Sequence, residues 1–170
     1  MPTHRFSYRG ILETLDRFAV EHIVVGGVCA VVHGAPITTF DLDLVHRRTA
    51  ENINRILAAL SEIGAFHREP GDRRLAPQRS ALEGTGPVLF TTNLGSLDFV
   101  GEVSGRGYAE ILPHTVELLL GANLRVRVLD LETLIAVKED AGRPKDIAVL
   151  PILRQTLTES RRQKPGGRER

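Results

Sequence analysis

Two aspartates occupy alternate positions in Thr38-Thr39-Phe40-Asp41-Leu42-Asp43-Leu44, and a third lies in the apolar run Leu97-Asp98-Phe99-Val100. Alternate side chains of a strand share a face, so Asp41 and Asp43 project together while Leu42 and Leu44 point behind them. Carboxylates held that close raise one another's pKa unless a cation offsets them. A divalent metal does so through oxygen ligands, and Mg²⁺ is commonly held by one or two carboxylates plus substrate phosphates. Asp98, a lone charge in an apolar strand, needs a partner or a metal. With its strand beside the first, the three would make a metal-binding triad able to hold two ions about 4 Å apart. That points to metal-dependent phosphoryl or nucleotidyl chemistry. The bland alternatives are a polar outward face for Asp41 and Asp43 and a hydrogen-bonded structural role for Asp98.

Groups suited to a phosphate lie on either side. Gly26-Gly27 closes the apolar run Ile23-Val24-Val25 and opens another from Val28 to His33. A diglycine at a helix start lets phosphate approach unpaired amides, although two glycines alone would suit a plain turn. Leu131, Leu134 and Ile135 form an inward helical stripe, and Lys138 follows the last two at i+4 and i+3, which directs its head group toward a cleft or lets it snorkel to solvent. Arg143, Lys145 and Asp146 gather at a further helix start, where Asp146 could instead anchor a basic residue. Cys29 reads as a small buried side chain and His33 as a helix-end residue.

These groups need a scaffold, and the hydrophobic pattern supplies one. Ile11, Leu12, Leu15, Phe18 and Ala19 recur at helical spacing. Ile23-Val24-Val25 predicts a short strand, Val28–His33 a buried helix ended by Gly34-Ala35-Pro36, and Phe40–Val45 a second strand. Glu51–Ile63 predicts a helix closed by Gly64. Val88–Phe90 and Leu97–Val100 predict strands joined by a turn at Asn93-Leu94-Gly95-Ser96. Asn123–Leu129 alternates as a half-exposed strand. Leu131–Glu139 is a helix capped by Asp130, and Pro144 starts another that Pro151 kinks before it runs on through Leu157. Pro70–Pro87, rich in Gly, Pro and Arg, would hold a strand or hairpin near Arg73–Leu75. The fold class expected is α+β, a small mixed sheet flanked by helices with a helical C-terminal part. The expected organisation is a core over 1–129, helices over 130–158 packed on it in the same domain, and a disordered basic tail over 159–170.

Bulk composition narrows the class. With 170 residues, 42% hydrophobic and 25% charged, the chain can bury a single soluble core. A net charge of +1 says nothing alone about nucleic acid, although Arg47-Arg48, Arg73-Arg74 and the stretch from Arg161 to Arg170 are basic patches. One cysteine forms no internal disulfide, there is no Cys-His zinc cluster, and no apolar run is long enough to span a bilayer. The amino terminus lacks a signal-peptide core. A cytoplasmic protein without a membrane partner is expected.

In this order the residues resemble the DNA polymerase β-type nucleotidyltransferase superfamily, and more closely the small bacterial nucleotidyltransferases related to the AbiEii toxin group. Gly26-Gly27, His33-Gly34, Thr39-x-Asp41-x-Asp43 and Gly95-Ser96-Leu97-Asp98 carry the likeness, with Leu134-Ile135-x-x-Lys138 and Gly142-Arg143-Pro144-Lys145-Asp146 behind them. The likeness covers roughly Ile11 to Leu157. It implies transfer of a nucleoside monophosphate from an NTP to an acceptor hydroxyl, with pyrophosphate leaving. By the same resemblance, Asp41, Asp43 and Asp98 would hold Mg²⁺ or Mn²⁺, with Asp98 also helping remove the hydroxyl proton. Gly26 and Gly27 would position phosphates, and Lys138, Arg143 and Lys145 would bind nucleotide. The chain departs from the pattern at Val28, where many members carry a serine whose hydroxyl touches a phosphate. The acceptor is open between a tRNA 3′ end or other RNA, a protein hydroxyl, and a small molecule such as an aminoglycoside. The Arg73 to Arg79 region, the helical end or another subunit would choose it. Alternatives are a toxin restrained by an antitoxin partner, and an inactive binding or regulatory module on this fold. A homodimer through an apolar helix face is a further option without a specific residue behind it.

Overall fold

In the computed structural model, which describes residues 6–71 and 73–164, Ser7 accepts a hydrogen bond from the Gly10 amide at 3.1 Å and so starts α1, Tyr8–Arg17. This is an N-cap satisfying one of the orphan donors of the first turn. Ile11, Leu12 and Leu15 bury the face that their spacing foretold. The chain then enters β1, His22–Val25, and passes straight into α2, Gly26–Val32, with Val25 as N-cap. The glycines therefore form the first turn of the helix rather than a loop before it.

β2 follows over Asp41–His46, then α3, Ala50–Glu62, capped by Thr49. Next come β3 (Phe66–His67), α4 (Arg79–Glu83), β4 (Val88–Thr92) and β5 (Gly95–Val100). A two-stranded ribbon of β6 (Glu102–Val103) and β7 (Arg106–Gly107) leads to α5, Tyr108–Ile111, and a single 3₁₀ turn. The edge hairpin is β8 (Thr115–Leu120) with β9 (Leu124–Leu129), before α6 (Leu131–Ala141) and α7 (Pro144–Gln163). Asp130 caps α6 by accepting from the Thr133 amide at 2.7 Å.

Seven strands form one mixed sheet in the order β3-β4-β5-β2-β1-β9-β8. β2 runs antiparallel to β1 and parallel to β5, and β1 runs parallel to β9. The β2–β5 register pairs Asp43 with Asp98 and Leu44 with Phe99. Leu42 and Leu44 are fully buried behind the aspartates. Each such leucine contributes about 1.5–3 kcal/mol, so the register that buries them is the one that presents the carboxylates. A one-residue slip would exchange the two sets.

The sequence reading departs from the structure in several places, beyond the short elements β3, α4, β6, β7 and α5 that it did not foresee. Arg73–Leu75 forms no strand; the segment is irregular, touching the sheet through the His67 amide, which donates to the Leu75 carbonyl at 2.8 Å. Arg73, Arg74 and Leu75 are all exposed, so the segment has no apolar face to bury, and the local order comes later in α4. β8 was missed because Thr115-Val116-Glu117-Leu118-Leu119-Leu120 does not alternate; an edge strand packed on one neighbour has weaker demands on pattern. The stretch expected as a tail is helical through Gln163, and Arg161 pairs with Glu132, while residues 165–170 lie outside those described.

Candidate active site

The three aspartates of the sequence reading line one cleft of about 630 Å³, with Gly26, Gly27 and Thr39 on the same rim. Lys138, Arg143, Lys145 and Asp146 line it from α6 and α7. One side of the cleft is therefore acidic and the other basic, and Ile37, Val100, Val103, Val137 and Val149 add apolar wall. Such a concavity, mostly apolar with a few convergent charges, is the common form of a small-molecule site.

Backbone geometry holds the acidic side. Gly26 has φ +67°, a left-handed conformation that glycine adopts without cost, and a Cβ there would stand 2.3 Å from Asp43 Oδ2. A Cβ on Gly27 would stand 2.6 Å from Thr39 Oγ1. The diglycine is thus explained by close approach: it makes room for the Asp43 carboxylate and the Thr39 hydroxyl against the start of α2. Val28, by contrast, is fully buried and lies outside the cleft lining, so its side chain faces the core and not the rim.

Electrostatics mark the pair on β2 and β5. The Asp43 carboxyl is pushed up to about 7, first by burial and then by the charges of Asp98 and Asp41. Asp98 is also raised by burial, with Arg68 pulling the other way. The two residues pair across β2 and β5, so the charge of Asp98 disfavours ionisation of Asp43. Asp41 is exposed at the mouth of the cleft.

Asp98 has found a partner that the sequence did not reveal. Arg68 Nη2 donates to Asp98 Oδ1 at 2.9 Å and to the Phe90 carbonyl at 2.8 Å. The three aspartates share one cleft lining, although among the described residues no three His, Cys, Asp or Glu side chains are already grouped as a metal site. The donor set itself suits a hard divalent cation, being carboxylate oxygens with more negative charge than their surroundings neutralise. Burial raises Asp43 first, and the charges of Asp98 and Asp41 add to that rise.

The basic side is organised by Asp146. Its side chain is 1% exposed and accepts from Lys138 Nζ at 3.1 Å and from Arg143 Nε at 2.6 Å. Burial pushes its carboxyl up, but the bonds from Arg143 and Lys138 outweigh this and hold it below the usual range. The sequence reading left Asp146 open as an anchor, and it is one. Lys138 is four-fifths buried at the cleft wall, while Lys145 is exposed at the rim.

Two nearby groups are structural. His33 Nε2–H donates to the Leu129 carbonyl at 2.7 Å, tying the end of α2 to β9. The Cys29 thiol is pushed up to about 12, chiefly by burial, and supplies no nucleophile.

Comparison with known proteins finds no matching family model and no matching curated sequence. Solved structures do match. One is a crystal structure of a protein from Thermotoga maritima assigned as a nucleotidyltransferase, with TM-score 0.54 and 16% identity, covering 89% of this chain and 90% of that one. Another is ANT(2″)-Ia in complex with adenylyl-2″-tobramycin, with TM-score 0.56 and 17% identity over 89% of this chain and 87% of that one. The solution structure of ANT(2″)-Ia matches with TM-score 0.56 and 16% identity, covering 86% and 80%. The architecture is thus a nucleotidyltransferase-like mixed α/β fold; nothing in these matches singles out the AbiEii group.

Proposed function

We propose that the chain is a nucleotidyltransferase, moving a nucleoside monophosphate from an NTP to an acceptor hydroxyl. The observation that carries this reading is Asp43 beside Asp98 on parallel strands, in one cleft with Asp41 and facing Lys138 and Arg143. The acceptor oxygen forms a bond to the α-phosphorus as the bond to the pyrophosphate oxygen breaks; the hydroxyl proton leaves to a carboxylate, and pyrophosphate departs with its charge. Asp98 is the residue assigned to accept that proton. Lys138 and Arg143, aimed by Asp146, offset the charge on the β- and γ-phosphates. Lys145 adds to that field at the rim. Gly26 and Gly27 let a phosphate approach the α2 backbone closely.

Asp41, Asp43 and Asp98 would hold Mg²⁺ or Mn²⁺, which supplies charge neutralisation of the triphosphate and lowers the pKa of a bound hydroxyl. The fold likeness supports the reaction class, and the tobramycin adduct of one neighbour makes a small molecule one of the acceptor classes, beside RNA and protein. The buried Val28 shifts the phosphate contact to backbone amides and to Thr39, whose hydroxyl lines the cleft. A toxin of a toxin–antitoxin pair using the same chemistry, and an inactive binding module, are the competing readings. Calorimetry with an NTP discriminates the module: the enzyme requires Mg²⁺ for tight binding, and Asp43→Asn abolishes that metal-dependent binding. Metal-independent binding unchanged by the substitution would contradict the proposal. Growth arrest on expression, relieved by a neighbouring gene product, would identify a toxin.

A further inference from the structure

Arg68 sits where nothing in the local sequence foretells a site residue. It follows directly on β3, its amide donates to the Leu89 carbonyl at 2.8 Å, and its Nη2 bridges the Phe90 carbonyl and Asp98 Oδ1. The backbone bond to Leu89 of β4 fixes the base of the side chain, and the bond to Phe90 fixes its tip. Asp98 is 14% exposed and Arg68 34%, so the pair is partly shielded from water and screening.

Asp41, Asp43 and Asp98 bring three carboxylates into one cleft, and Arg68 is the only cation paired with any of them among the described residues. Lys138 and Arg143, across the cleft, are already committed to Asp146. Resting on the nucleotidyltransferase reading above, we propose that Arg68 is a positioning residue, a built-in counter-ion that holds Asp98 in the metal-free cleft and must yield it when a divalent cation arrives. The guanidinium and a divalent cation would both draw on the charge of the Asp98 carboxylate. Arg68 therefore competes with the metal, and it keeps the site assembled between turnovers. The bond to the Phe90 carbonyl does not involve Asp98, so it would keep the guanidinium in place once Asp98 is released.

The test is Mn²⁺ binding, followed by the loss of free-ion paramagnetic resonance signal, for wild type, Arg68→Met and Arg68→Lys, without nucleotide. Methionine keeps the aliphatic bulk and removes the competitor. Its Mn²⁺ dissociation constant is expected to fall about tenfold, the range between an exposed and a buried ion pair. Thermal stability in EDTA is expected to fall as well, and the gain on adding Mn²⁺ to exceed that of wild type. Lysine, a point charge lacking the planar fork, should lie between them. If methionine does not fold, an affinity for Arg68→Lys between two- and tenfold tighter than wild type supports the proposal, and unchanged or weaker affinity overturns it. Unchanged or weaker binding by Arg68→Met likewise overturns it, provided wild-type binding is lost in Asp43→Asn. Wild-type protein that binds no Mn²⁺, or binds it regardless of Asp43, would bring down the metal assignment itself and the inference with it.

Discussion

Asp43→Asn is expected to stabilise the metal-free protein at pH 8 while abolishing transfer. The Asp43 carboxyl has its ordinary value of 3.8 in the unfolded chain and about 7 in the fold, raised by burial and by Asp98 and Asp41. Between those values the folded chain keeps a proton that the unfolded chain has given up. Stability therefore falls as pH rises through this window, by about 1.4 kcal/mol per pH unit. The contribution is complete below 3.8 and gone once pH passes about 7. The full loss is roughly 4 kcal/mol, and relaxation and bound counter-ions reduce it to ~2–4 kcal/mol. Asparagine keeps the shape and carries no charge, so the variant escapes the loss. Urea unfolding in EDTA from pH 4 to pH 8 measures it: the two proteins should agree near pH 4 and separate steadily toward pH 8, with Mg²⁺ narrowing the gap. A gap at pH 8 that is zero, reversed, or independent of pH would refute the reasoning.

Three further substitutions probe other parts of the site. Gly26→Ala places a Cβ at φ +67° and 2.3 Å from Asp43 Oδ2; the left-handed backbone costs about 1–2 kcal/mol, and a displaced carboxylate lowers kcat by roughly 100-fold, read by thermal unfolding and steady-state assay. Asp146→Ala strips Lys138 and Arg143 of their shared partner, costing about 3 kcal/mol and weakening binding of a fluorescent NTP analogue about tenfold, while Asp146→Asn keeps the fold better and shows the binding loss alone. Val28→Ser introduces a hydroxyl, but the buried site at that position makes it cost about 1–3 kcal/mol with no gain in nucleotide affinity by titration.

Much of the site was legible because its signals are local. Asp41-x-Asp43 on an apolar strand shows its period directly, and the burial of Leu42 and Leu44 makes that period binding on the fold. The Asp130 cap, the Leu134-Ile135-Lys138 stripe and the proline start of α7 are likewise written within a single turn of chain. The placement of Asp98 against Asp43 rests on a parallel pairing across more than fifty residues; the apolar flanks said only that a partner was needed. Arg68 was invisible for the same reason. Its role depends on β3 pairing with β4, and a two-residue strand has too little sequence to show a period. The diglycine was read as a phosphate turn; the structure adds that it is cut away for Asp43 and Thr39. Val28 shows how a position matched by motif can face the core.

The most direct test of nucleotidyl transfer is a paired reaction with label at either end of the triphosphate. Total cellular RNA, protein and metabolites are incubated with the protein, Mg²⁺ and NTP labelled at the α- or the γ-phosphate. The account expects α-label to pass into one fraction, γ-label to appear as pyrophosphate, and both signals to vanish in Asp41→Ala. Label from the γ-phosphate in the acceptor, or α-label incorporated equally by Asp41→Ala, would contradict it.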